Sequence, residues 1–240
     1  MDGKPGDEHL RDWADLHLTE PPTGFVGGWL RLMAAIARPL ARAGVPPNAV
    51  TVAACVVGIA TIPLAMIDGW VGPAAACLAV IVSGLLDALD GAVAVQSGRT
   101  TSVGFLLDSA LDRLSDAALP AALAVVAGST AGAAKLAVAS VAATWWLEYI
   151  RARGSLAAPT GRQADHQAEH QVVTPGERPT RMILAGVGLG IPPLALAALW
   201  GQVVIVGGSA VFLLVWSLRR LSRLDGRPSP PRRGRPGPTA

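Results

Sequence analysis

The chain has 240 residues, 51% of them hydrophobic and only 15% charged, with a mean hydropathy of +0.44. That balance excludes an ordinary soluble domain, in which about a quarter of the residues are charged. The formal charge of +3 does not point to nucleic acid either, because the basic residues stand between apolar runs and not in an aromatic-interleaved patch.

Residues 1–22 carry Asp2, Asp7, Glu8, Asp12, Asp15 and Glu20 without a sustained apolar face, which predicts a disordered cytosolic tail. They lack the positive start, apolar run and small-residue cleavage site of a secretory signal. Over residues 23–44, Trp29, Leu30, Met33, Ile36 and Leu40 recur at helical spacing with Arg31, Arg38 and Arg42 between them. This predicts an amphipathic helix lying in the membrane interface. Gly44-Val45-Pro46-Pro47 ends it, and Asn48 stands where a cap for the next helix is expected.

Six apolar runs follow, at 49–67, 70–94, 104–127, 130–150, 182–200 and 203–218. Most approach the ~20 residues that cross a ~30 Å hydrocarbon core. They predict an all-α fold, an integral membrane bundle of six transmembrane helices over residues 45–222, followed by a disordered basic tail at 223–240. Lys and Arg counting sets the orientation. With the N-terminus in the cytoplasm, Arg31, Arg38, Arg42, Arg99, Arg151, Arg153, Arg178, Arg181, Arg219 and Arg220 all fall inside and only Lys135 falls outside. Both termini are therefore expected on the cytoplasmic side of the cell membrane. Trp70 and Trp200 then mark the outer interface, and Trp145, Trp146, Tyr149 and Trp216 the inner one. Cys55 and Cys77 lie inside apolar runs without metal-ligand spacing and read as small buried hydrophobes.

Against this background Asp87, Asp90, Asp108 and Asp112 stand out. An ionisable group in a lipid-buried helix costs kilocalories unless it pairs or binds something, so function is the default expectation. The i, i+3 spacing of Asp87 and Asp90 and the i, i+4 spacing of Asp108 and Asp112 put each pair on one helix face. Antiparallel neighbouring helices would let those faces converge near the cytoplasmic side. Four carboxylates with no matching cationic partners repel one another, so the cluster is expected to be stabilised by a divalent cation, Mg²⁺ or Mn²⁺ by its all-oxygen donors. Gly91, Ala94 and Gly104 leave room beside it for a nucleotide. An ion or proton relay is a rival reading of intramembrane Asp residues, but a relay should distribute them across the full thickness.

The string Asp87-x-x-Asp90-Gly91-x-x-Ala94, then Gly104-x-x-x-Asp108-x-x-x-Asp112, resembles the signature of the CDP-alcohol phosphotransferase family with every spacing kept. The resemblance implies a six-helix catalytic core that works as a homodimer. It implies metal roles for Asp87, Asp90, Asp108 and Asp112, with Asp112 as general base. It further implies transfer of a phosphatidyl group from CDP-diacylglycerol to an alcohol acceptor, with release of CMP. Pro47-Asn48-x-x-Thr51 is similar to the family's opening motif, where polar groups lie near the nucleotide; Asn48 as a plain helix cap is the equal alternative. Glu148-Tyr149-Ile150-Arg151-Ala152-Arg153 and Glu177-Arg178-Pro179-Thr180-Arg181 look like the branch that uses phosphorylated acceptors, phosphatidylinositol phosphate and phosphatidylglycerophosphate synthases among them. Arg151, Arg153, Arg178 and Arg181 would then form a phosphate site, unless they only set topology.

One position departs from the family: Val95 stands where an Arg normally follows the Ala, which leaves phosphate charge less compensated and admits a catalytically altered or silent member. Arg99, four residues on, is the candidate to take that place if the helix continues to it. Asp116 continues the stripe of Asp108 and Asp112 one turn deeper and is expected to pair with Arg113. His166-Gln167-Ala168-Glu169-His170 fits the H-x-x-E-H pattern of some zinc peptidases, but a short loop between prolines reads as a solvated segment. Gly186-Val187-Gly188-Leu189-Gly190 sits in an apolar run with no preceding strand, and predicts close helix packing through Gly186 and Gly190.

Overall fold

The computed structural model describes residues 24–130, 132–157 and 172–225, which contain helices and no strand. In chain order these are α1 (Gly24–Arg42), α2 (Pro47–Ala65), α3 (Val71–Ser97), α4 (Ser102–Ala127), α5 (Ala133–Ala157), α6 (Arg178–Gly190), a 3-10 turn (Pro192–Leu194) and α7 (Ala195–Asp225). The all-α expectation therefore holds. The expected N-terminal tail, the His166 to His170 loop and residues 226–240 lie outside the described residues, whereas residues 223–225, assigned to the basic tail, are helical.

Helix α2 starts without a side-chain cap: Pro46 holds the extended cap position and Pro47 opens the first turn, where a missing N–H costs nothing. Asn48 is thus inside the helix and not its cap. Helix α3 runs past the expected residue 94 to Ser97, where Gly98 turns left-handed at φ 63° and closes the end through its own N–H and that of Arg99. Thr101 then caps α4, its hydroxyl accepting from the Gly104 amide at 3.0 Å.

The last two apolar runs divide at a different point from the one expected. The break falls between Gly190 and Ala195, and α7 continues unbroken through Gly201. Pro192 and Pro193 cannot extend an incoming helix, whereas one glycine inside a long apolar helix costs only about 1 kcal/mol. Among the described residues, three stretches, Pro47–Ala65, Val71–Ser97 and Pro192–Arg223, are long and apolar enough to cross a membrane. Helix α4 is of similar length but carries Asp108, Asp112, Arg113 and Asp116, and α5 carries Lys135, Glu148, Arg151 and Arg153. Helix α6 has 13 residues and reaches about 20 Å.

Helices α3, α4, α6 and α7 share a core that includes Val80, Leu119, Leu123, Leu189 and Leu199. The outer surface is also apolar, with Val56, Leu78, Ile81, Val138, Val204 and Phe212 exposed. Such a mantle exceeds the patches that water-soluble monomers tolerate. Helix α1 buries Met33 and Ala37 against Leu89 and Val93 of α3, and so covers the end of α3 that bears Asp87 and Asp90.

Helices α3 and α4 touch each other sparingly, contrary to the expectation of direct neighbours; α2 packs closely on both. Gly58 makes this possible. A Cβ there would lie 2.7 Å from Ser115 Cβ on α4 and 3.0 Å from Ser83 Oγ on α3, so only glycine lets α2 seat between them. On the other side α6 packs against α3, α4 and α7. Gly188, not Gly186 or Gly190, makes the closest approach there, since a Cβ would meet Leu123 Cδ2 at 2.5 Å and Ala198 Cβ at 2.8 Å. At Gly186 nothing lies within 4 Å, and at Gly190 only Cys77 Sγ, at 3.4 Å.

Candidate active site

A cavity of about 580 Å³ opens between α1, α2, α3 and the start of α4. Asp87, Asp90, Asp108 and Asp112 all reach its wall, together with Asn48, Thr51, Gly91, Ala94, Val95, Arg99 and Gly104. Three of the carboxylates converge: Asp87, Asp108 and Asp112 each offer an oxygen, and these oxygens lie within 4.8 Å of one another. Asp90, one turn along α3, stands outside that trio. It is nonetheless buried, and its Oδ2 has no hydrogen-bond partner. Buried polar atoms are almost always satisfied, so an orphaned carboxylate oxygen beside three converging ones is what a hard divalent cation would complete.

The glycines on the cavity have different reasons. A Cβ at Gly91 would meet nothing within 4 Å, so its absence enlarges the cavity. At Gly104 a Cβ would press on Asn48 Oδ1 at 3.1 Å and Thr101 Oγ1 at 3.2 Å, so here the glycine admits a neighbouring side chain. Arg99 reaches the cavity by a route other than the expected one. Helix α3 stops at Ser97, and the left-handed Gly98 swings Arg99 out of the helix and onto the cavity rim.

Away from the cavity the carboxylates meet cations, and here the expectation of an uncompensated cluster is corrected. Arg178, at the start of α6, forms ion pairs from Nη1 to Asp87 and to Asp112, while its Nη2 donates to Ser115 Oγ at 3.2 Å. The pairing has no local signature, because Arg178 is 91 residues from Asp87 and 66 from Asp112 in sequence. Asp116 is completely enclosed and meets Arg181 at 2.7 Å, with Arg113 at 3.6 Å and Arg178 Nε at 3.7 Å. Its expected partner Arg113 is therefore present but secondary, and Arg113 reaches Glu148 at 3.1 Å.

Arg181 is held at both terminal nitrogens and at its carbonyl. It donates to the Gly176 carbonyl at 2.8 Å, and its own carbonyl accepts from Gln202, which in turn accepts from Ser140. Arg151 pairs with Glu177 at 2.6 Å, and the Thr174 amide and hydroxyl also donate to that carboxylate. Burial would raise the Glu177 pKa, but the Arg151 and Thr174 hydrogen bonds outweigh it and hold the carboxyl below its ordinary value. Arg153 is exposed on α5. Of the four arginines singled out in the sequence, Arg178 is the one brought to the cavity carboxylates, Asp87 and Asp112.

Several cavity residues escaped sequence reasoning, among them Trp29, Met33, Thr101 and Phe105. Thr101 had a usable signal, a hydroxyl residue followed three positions later by the glycine amide it caps. Trp29 and Met33 were legible only as the apolar stripe of α1, which does not say what it covers.

Residues 45–218 match the model of the CDP-alcohol phosphatidyltransferase family. A phosphatidylinositol phosphate synthase of Mycolicibacterium smegmatis is 31% identical over 83% of this chain and 86% of its own length. An archaetidylinositol phosphate synthase of Aeropyrum pernix is 37% identical over 52% of this chain, and the match spans 60% of that protein. Among solved structures, the Mycobacterium tuberculosis phosphatidylinositol phosphate synthase with CDP-DAG bound superposes with a TM-score of 0.62 at 26% identity, covering 83% of this chain and all of that one. The same enzyme with manganese and citrate gives 0.62 at 26% identity, over 82% of this chain and 93% of that one. The match across residues 45–218 makes this chain a member of the CDP-alcohol phosphatidyltransferase family, the transferases of phospholipid biosynthesis.

Proposed function

We propose that the protein transfers the phosphatidyl group of CDP-diacylglycerol to a phosphorylated polyol, inositol phosphate first and glycerol phosphate second, and releases CMP. The observation that carries this is the convergence of Asp87, Asp108 and Asp112 on the wall of a cavity with room for a nucleotide. The relatives whose names end in inositol phosphate synthase, and the solved neighbours with CDP-DAG or with manganese and citrate, support the donor, the acceptor class and a divalent metal.

In this reading Asp87, Asp90, Asp108 and Asp112 hold Mg²⁺ or Mn²⁺. The chemistry such an ion supplies is neutralisation of the pyrophosphate and stabilisation of the departing phosphate. Asn48, Thr51, Gly91, Ala94 and Gly104 shape the nucleotide side, and Arg99 supplies the cation that Val95 does not. Asp112 takes the proton of the acceptor hydroxyl as that oxygen bonds to the phosphorus next to the lipid; the bond from that phosphorus to the CMP oxygen breaks, and CMP leaves. Arg178 provides the positive side toward a phosphorylated acceptor; Arg151 and Arg181, each paired with a carboxylate, and the exposed Arg153 are the further candidates.

The same reading takes α2 to α7 as six spans of the cell membrane, with α1 in the cytoplasmic interface and both termini inside. The exposure of Leu32 and Ile36 on the side of α1 turned away from α3 supports that placement. The protein works as a homodimer.

The test is CMP release by purified protein from CDP-diacylglycerol with Mg²⁺ or Mn²⁺ and a panel of inositol phosphate, glycerol phosphate and inositol. Release is expected with inositol phosphate, falling by about 10³-fold in Asp112→Ala. An absence of release with every acceptor overturns the proposal.

A further inference from the structure

Asp116 lies outside the family signature and lines no part of the cavity, yet it is the most deeply enclosed carboxylate beside the site. Its two oxygens do different things. Oδ2 is taken by Arg181 at 2.7 Å, with Arg113 at 3.6 Å. Oδ1 has no hydrogen-bond partner and faces Arg178 Nε at 3.7 Å, and that Nε has no hydrogen-bond partner either.

The Arg178 guanidinium is thus held between two groups of carboxylates. Its Nη1 end lies on Asp87 and Asp112, and its Nε edge lies on Asp116. The first group is also the donor set for a divalent cation. A cation and the guanidinium draw on the same two carboxylates, Asp87 and Asp112, and repel each other at that range, so the two compete, and the outcome depends on what else holds Arg178.

We propose that Asp116 is a positioning residue that acts through Arg178: it anchors the guanidinium beside the site when a divalent cation takes the Asp87 and Asp112 oxygens. Arg181 makes that anchor rigid. It fixes Asp116 Oδ2 and is itself tied to Gly176, and through its carbonyl to Gln202. Asp116 therefore cannot follow Arg178 outward, and Arg178 can release Asp87 and Asp112 without leaving. Without Asp116 the carboxylates that Arg178 meets among the described residues are the cation's own donors, and Ser115 Oγ, at 3.2 Å, is a neutral hold, so the cation has to win both carboxylates from a guanidinium with no other anion beside it. The inference rests on the reading of Asp87 and Asp112 as metal donors.

The test is a double-mutant cycle on Mn²⁺ binding to purified protein without substrates, measured by electron paramagnetic resonance of free Mn²⁺. Asp116→Asn is expected to weaken Mn²⁺ binding by about fivefold or more, and Arg178→Gln to strengthen it by a similar factor. In the Arg178→Gln background, Asp116→Asn should leave the Mn²⁺ affinity unchanged. A purely structural role for Asp116 predicts the same loss in both backgrounds, and that result overturns the proposal. So does an unchanged or weaker affinity in Arg178→Gln, which can be read even if Asp116→Asn does not fold. Failure of the wild-type protein to bind Mn²⁺ removes the underlying metal reading as well, and is distinguishable from binding without coupling.

Discussion

The carboxylates of α3 and α4 look in two directions, and the two sides are built on opposite rules. Toward the cavity, Asp90 Oδ2 is orphaned, Asp108 has no ion pair among the described residues, and Gly91 leaves space where a side chain would be. Toward α5 and α6, Asp116, Glu148 and Glu177 are each matched to arginine, and the guanidinium of Arg181 is further tied to the Gly176 carbonyl. Identical side chains thus differ in what the chain supplies to them: arginines on the side of α5 and α6, where Asp116 keeps just one oxygen without a hydrogen bond, and open space on the side of the cavity. Asp112 stands on the border: it lines the cavity with one side of its surroundings and meets Arg178 on the other.

The sharpest way to break this contrast is to remove a cation from the closed side. Arg181→Leu leaves Asp116 enclosed with only the longer contacts to Arg113 and Arg178, at 3.6 and 3.7 Å, and breaking a buried pair of this kind costs up to about 3–5 kcal/mol. Thermal unfolding of the detergent-solubilised protein should show a large drop in Tm. A Tm within a degree or two of wild type would mean that the arginine side does not hold the bundle together.

A filling substitution on the open side should do the reverse. Gly91→Leu projects into free cavity space, so Tm should stay near the wild-type value while the KM for CDP-diacylglycerol rises by about tenfold. Unchanged KM would place the nucleotide elsewhere.

The smallest expected effect comes from the rim of the closed side. The Glu177 pKa is lowered in the folded protein, so its contribution to stability is complete above the unfolded value near pH 4.3 and is lost as pH falls through the folded value. The Tm difference between wild type and Glu177→Gln should therefore be present at about pH 6 and shrink below about pH 4. A difference that grows on acidification would reverse the assignment of Glu177 as the charged partner of Arg151.

Much of the architecture was legible because it is a local property. Hydrophobic runs interrupted by proline and glycine gave the helix order, and the i, i+3 and i, i+4 spacing put the carboxylates of each helix on one face. The errors were of two kinds. Boundaries slipped where two punctuation signals competed, as at Gly201 against Pro192-Pro193, and there the residue that lacks an N–H prevailed over the one that only adds flexibility. Helix adjacency was misjudged because a ten-residue connection was taken to mean direct packing, whereas Gly58 lets α2 come between α3 and α4.

By itself, then, the sequence determined a helical membrane-type chain, the family signature, and the carboxylates and small residues that face the cavity, though not Trp29, Met33, Thr101 or Phe105, because the former depend on periodicity and residue type along one helix at a time. Only the tertiary structure decided which of the charges are satisfied. Arg178 comes to Asp87 and Asp112 across 91 and 66 residues, and Arg181 to Asp116 across 65. Coulomb interaction at contact range depends on where helices pack, and that packing is set by small residues such as Gly58 and Gly188, whose role is to be absent from the space that neighbouring side chains fill.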